Sequence, residues 1–84
     1  PDASAARSMA NGGELGLDAA LFTRAYDRAM RFADRLEAGG VRINGAPSHG
    51  LGDIPFGGVK DSGIGREGLG YTIDAFVESK SIIL

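Results

Sequence analysis

The residues that could do chemistry crowd into one stretch of this 84-residue chain. Gly63-Ile64-Gly65-Arg66-Glu67-Gly68 has the spacing of a phosphate-cradling glycine loop ahead of a predicted helix. Such a loop needs a strand before it and an acidic residue about 20 positions after it. Phe56 to Ser62 does not read as a strand, and only sixteen residues follow Gly68, so a backbone-shaping turn is the favoured reading. Lys60 lacks the Gly-Lys-Ser/Thr context of a nucleotide lysine, which leaves a solvated or locally hydrogen-bonded side chain. Arg66 at a helix start opposes the helix dipole and is expected to meet an anionic partner, whereas Glu67 suits that position. Phe56, between Pro55 and Gly57, is either a plug on the core or the wall of a pocket. His49 is the only histidine; with Ser48 and Asp53 it makes a run, not a triad, and it reads as a loop residue that can face a substrate. The chain has no cysteine, so it brings no thiolate nucleophile, thiolate metal site or disulfide.

The elements that must position these groups follow from periodicity. Asp2 is expected to cap a short helix that stops at Asn11-Gly12-Gly13. Ala19 to Phe22 reads as a buried strand. Thr23 to Ala38 is the clearest helix, with Thr23 as cap. Its apolar stripe is Ala25, Ala29, Phe32, Ala33 and Leu36, edged by Tyr26 and Met30. Gly39-Gly40 ends it, and Val41 to Asn44 reads as the next strand. Strand, helix, strand with glycine breaks is the βαβ pattern, which implies parallel strands joined by a right-handed crossover. Parallel strands want cover on both faces, and this chain has too few helices to give it. The expected fold class is therefore α/β: a βαβ piece of a larger parallel-sheet domain, then a glycine-rich loop, a helix and a terminal strand. Eleven of the fourteen glycines lie between Gly39 and Gly70, which marks a long shaped loop. Leu69, Ile73, Phe76 and Val77 recur at helical spacing, and Lys80 to Leu84 reads as a short apolar strand.

Composition sets the remaining bounds. Nine basic against eleven acidic residues leave a charge of −2, and no basic run suggests a nucleic-acid partner. No apolar run approaches the roughly 18 residues of a membrane span, and no secretory segment is visible. The expectation is a cytoplasmic protein.

The ordered run Pro55-Phe56-Gly57-Gly58-x-Lys60-x-Ser62-Gly63-x-Gly65-Arg66-Glu67-Gly68 resembles the last signature motif of the aldehyde dehydrogenase superfamily. Gly16-Leu17, Phe22-Thr23-Arg24, Asp27-Arg28-Ala29, Gly39-Gly40-Val41, Asn44 and the tail from Tyr71 to Lys80 extend the likeness along nearly the whole chain. It departs at Asn11 to Glu14, where the family has an Asn-Asp-Thr-like run, and at Arg42, where an apolar or aromatic residue is usual. The resemblance implies oxidation of an aldehyde to the acid with NAD or NADP. A cysteine thiolate attacks the carbonyl, hydride leaves to the nicotinamide, and a glutamate activates the hydrolytic water. It also implies that residues 1–78 are the C-terminal segment of the catalytic domain and 79–84 a terminal strand for subunit assembly. The segment alone is expected to be inactive and to bind no cofactor.

By the same resemblance, Phe56 lines the substrate tunnel and His49 lies in the loop that shapes its mouth. Gly45 to Ile54 carries no aromatic, which favours a small or polar aldehyde, in the style of enzymes for lactaldehyde, glyceraldehyde phosphate or succinic semialdehyde. Glu78, Ile82 and Ile83 are expected at a homo-oligomer interface. Two other classes remain: a truncated, non-catalytic interaction module with an open sheet edge, and a small nucleotide-binding protein.

Overall fold

The structure, a computed structural model, describes residues 2–47 and 54–84. Helix α1 spans Ala3–Asn11, capped by an Asp2 carboxylate that accepts from the Ala5 amide at 2.8 Å. Strands β1 (Leu15–Gly16) and β2 (Asp18–Leu21) follow. Helix α2 (Tyr26–Asp34) then crosses to β3 (Gly40–Ile43). The chain ends with β4 (Val59–Lys60) and helix α3 (Leu69–Ala75).

The βαβ unit is present. Strands β2 and β3 run parallel in a register that sets Asp18 beside Gly40 and Leu21 beside Ile43. The Gly39 and Gly40 amides donate to the Gly16 and Leu17 carbonyls, each at 3.0 Å, and so start the pairing. Asn44 closes it at the other end. With φ at 58°, in the left-handed region that asparagine tolerates, it turns its amide group onto Thr23. Asn44 Oδ1 accepts from the Thr23 amide at 2.9 Å, and Asn44 Nδ2 donates to the Thr23 carbonyl at 3.0 Å.

Two expectations are corrected here. Thr23 is not the cap of α2; Ala25 holds that position without a side-chain hydrogen bond. Nor does α2 run on to the glycines. It stops at Asp34 because the Asn11 side chain bonds the chain beyond it, Nδ2 donating to the Arg35 carbonyl at 2.8 Å and Oδ1 accepting from the Glu37 amide at 2.9 Å. A side chain from α1 thus does the work that sequence periodicity assigned to Gly39-Gly40.

Of the apolar stripe of α2, Ala29 is buried at 1% exposure, while Phe32, Ala33 and Leu36 are half-buried. Ala25, Tyr26 and Met30 are exposed. Ala29 is the one apolar residue that forms a fully buried core among the described residues. The α3 stripe of Leu69, Ile73, Phe76 and Val77 is exposed throughout. Within the single chain, residues 77–84 carry no regular structure, and Ile82, Ile83 and Leu84 stand exposed. A strand needs a partner backbone, and among the described residues none of this single chain pairs with that stretch; the strand expected there is one that a second copy would complete.

Candidate functional site

The glycine-rich loop is pinned at three places. First, β4 pairs antiparallel with β1, setting Leu15 beside Lys60 and Gly16 beside Val59. This two-residue strand stands where the sequence reads as no strand at all. Ser62 reinforces it, its Oγ accepting from the Gly16 amide at 2.7 Å, and the Asp61 amide donates to the Glu14 carbonyl at 2.9 Å. Second, Phe56 and Glu67 form an isolated antiparallel bridge, with the Phe56 amide donating to the Glu67 carbonyl at 2.8 Å. That bridge closes the loop into a ring and holds the backbone on which the half-buried Phe56 ring stands. Third, Arg66 Nη1 donates across the ring to the Gly58 carbonyl at 2.8 Å and to the Gly65 carbonyl at 3.0 Å. The anionic partner expected for Arg66 is thus replaced by carbonyl oxygens, whose partial negative charge serves the same need.

Lys60 is the larger correction. Its side chain is only 23% exposed, and its Nζ gathers three acceptors from remote parts of the chain. It donates to the Asn11 carbonyl at 2.7 Å and the Gly13 carbonyl at 3.1 Å, and it pairs with Glu37 Oε2 at 2.7 Å. The backbone at Lys60 has φ of 53°, a conformation that costs roughly 1–2 kcal/mol for a residue with a Cβ. The ammonium ties the end of α1 and the turn after α2 to the signature loop.

Between these pins lies a crevice of about 230 Å³ whose walls include Leu17, Phe56, Ser62, Arg66 and Glu67. The loop also packs backbone to backbone. Gly39 lies so close to Gly57 that a Cβ on Gly39 would collide with the Gly57 carbonyl oxygen. The stretch Gly63 to Gly68 lacks the geometry of a pyrophosphate cradle. The strand before it is a two-residue antiparallel one, the Gly65 carbonyl accepts from Arg66, and the seven-residue α3 begins after Gly68 at φ of 136°. The glycines serve the turn.

Pro55 is exposed, Gly57 half-buried, Gly58 buried and Gly63 exposed against the Gly58 backbone. Glu78, Ile82 and Ile83 are exposed and far along the chain from the ring. His49, with Ser48 and Asp53, lies outside the described residues. The structure therefore brings together Phe56, Gly58, Lys60, Ser62, Arg66 and Glu67. It adds Asn11, Glu37 and Gly39, which sequence reading did not single out as site residues. Asn11 and Gly39 carried a signal, each as part of an expected helix stop and Gly39 also in the family likeness; Glu37 carried none.

The aldehyde dehydrogenase family matches residues 1–82. A lactaldehyde dehydrogenase from Methanococcus maripaludis is 46% identical over 83 residues, covering 99% of this chain and 18% of the relative. An NADP-dependent glyceraldehyde-3-phosphate dehydrogenase from Triticum aestivum is 39% identical over 74 residues, covering 88% of this chain and 15% of the relative. The NAD+ complex of an aldehyde dehydrogenase from Bacillus cereus superposes with a TM-score of 0.89 at 36% identity, covering 96% of this chain and 16% of that one. The chain thus spans less than a fifth of the length of the relatives it matches. With the pinned ring on the signature motif and the βαβ unit beneath it, this chain belongs to the aldehyde dehydrogenase family.

Proposed function

We propose that this chain is the segment of an NAD(P)-dependent aldehyde dehydrogenase that walls the substrate passage and carries subunit contacts. The observation behind this reading is the ring closed by Phe56 and Glu67, which holds an aromatic side chain on a stiff turn beside a crevice. A passage wall needs that rigidity, because discrimination between substrates is lost when the wall relaxes. The substrate is a small or polar aldehyde, oxidised to the carboxylic acid. The names of the lactaldehyde and glyceraldehyde-3-phosphate relatives support this choice, as does a 45–54 stretch without an aromatic. NAD or NADP belongs to the whole enzyme; Gly63 to Gly68 does not fit it.

The covalent step needs a thiol, and this chain has none. The chain alone, incubated with NAD, NADP and short aldehydes, is expected to leave the absorbance of reduced cofactor at the buffer level. Cofactor reduction that co-purifies with the chain would overturn the assignment of chemistry to the rest of the enzyme.

Phe56→Ala in the whole enzyme is expected to shift relative kcat/KM between aldehydes by about 1–2 kcal/mol. If all aldehydes lose rate equally while the melting point falls, Phe56 is a core plug.

The exposed Ile82 and Ile83, with Glu78 before them, form the subunit contact in this reading, with 79–84 adding a strand to a second copy in a cytoplasmic homo-oligomer. Ile82→Pro removes a ladder donor and is expected to shift the whole enzyme to smaller assemblies by light scattering after size exclusion. An unchanged mass would remove the tail from the interface.

A further inference from the structure

Helices α1 and α2 lie side by side in the same direction. Ala3 shares a crevice with Phe22 and Arg28 at one end, and Asn11 bonds the Arg35 carbonyl at the other. Between them they bring together four guanidinium-bearing residues that are scattered in sequence. Arg28 and Arg31 lie on one face of α2, Arg35 follows at its C-terminal cap, and Arg7 faces them from α1. With Ser4 and Phe32 these line a crevice of about 190 Å³. Among the described residues, none of these four arginines is paired with a carboxylate; the ion pair present is Lys60–Glu37. Asp27 and Asp34 stand on α2 but outside the crevice lining. Four positive charges are thus concentrated in a chain whose net charge is −2.

We propose that this crevice binds a small polyphosphate group. A planar guanidinium meets two phosphate oxygens at once, and several of them around one concavity match an anion of more than one charge better than a single carboxylate. The crevice is small and open to solvent, which suits a compact anion such as pyrophosphate. The basic surface is one patch rather than a stripe, which disfavours a nucleic acid. The same chemistry comes from a free pyrophosphate or from the diphosphate of a nucleotide.

The test is calorimetry on the whole enzyme at low salt, comparing native protein with the Arg28→Gln/Arg31→Gln double variant. Inorganic pyrophosphate is expected to bind the native enzyme and to bind the variant roughly tenfold more weakly, while aldehyde oxidation at saturating substrate stays unchanged. Only affinity removed by the double variant is assigned to the crevice, so binding at a cofactor site does not count. An ADP arm separates the sources. A variant-sensitive gain over pyrophosphate identifies a nucleotide, and equal affinity identifies the free anion. Equal pyrophosphate binding by native and variant enzyme overturns the proposal. So does tighter variant-sensitive binding of a single-stranded oligonucleotide.

Discussion

Lys60→Met is expected to lower the stability of the whole enzyme by about 2 kcal/mol, read as a shift in the urea midpoint at constant slope. The substitution keeps the apolar stem and removes the ammonium. Two backbone carbonyls, at Asn11 and Gly13, lose a charged donor, and Glu37 loses its counter-ion. The carbonyls account for most of the loss. The Glu37 side chain is 56% exposed, so Glu37→Gln alone is expected to cost less than about 1 kcal/mol. Lys60→Gly supplies the internal check. It relieves the left-handed backbone, worth roughly 1–2 kcal/mol, and loses all three contacts. Should Lys60→Gly prove as stable as the native enzyme, the ammonium contributes no more than the strain it imposes. The pinning role would then fall to Ser62 and the Phe56–Glu67 bridge.

Gly39→Ala reverses the usual sign of a glycine replacement. Where the backbone is compatible, Gly→Ala stabilises by about 0.4–1 kcal/mol through the unfolded chain. Gly13 is such a site, since a Cβ there meets nothing nearer than the Leu15 amide nitrogen at 4.0 Å. At Gly39 the new methyl would run into the Gly57 carbonyl oxygen and lie 3.1 Å from Gly58 Cα. Neither backbone retreats freely. Gly39 donates to Gly16, and Gly57 sits inside the closed ring. A loss of roughly 3 kcal/mol is expected, together with a fall in kcat/KM as the displacement reaches Phe56 next door. Gly13→Ala, measured alongside by thermal melting, is expected to be neutral or slightly stabilising. If the two variants melt together, Gly39 and Gly57 are not in contact in solution.

The parts of this architecture that follow from near neighbours were legible in the sequence. The Asp2 cap, the stop at Asn11-Gly12, and the strand–helix–strand unit depend on spacing within a few residues, and the structure has them. What sequence reading missed depends on distant partners. The contacts of Lys60 Nζ with Asn11 and Gly13 span 49 and 47 positions, and its Glu37 partner stands before β3, in a different part of the chain. The early end of α2 is set by Asn11, 24 positions before Arg35. The arginine crevice is invisible in the sequence for the same reason: its charges form no run, and the helices assemble it from two segments. The terminal apolar stretch has the residue types of a strand and, by resemblance, the place of one that joins a second subunit. Residue type supplies propensity, whereas pairing requires a second backbone.

The near-solitary burial of Ala29 has a thermal consequence. Heat capacity rises on unfolding because apolar surface becomes wet, by about 12–15 cal/mol/K per residue in ordinary globular proteins. Here Phe22, Tyr26, Leu69, Phe76 and Ile82 to Leu84 are already wet in the folded chain. Less than usual is left to expose, because the remaining apolar residues are only half-buried, so melting of this chain by itself is expected to take up less heat over a broader interval, on a flatter stability curve. The missing heat-capacity change belongs to the step in which other surfaces cover these side chains, and docking rather than folding would carry the calorimetric signature of the hydrophobic effect.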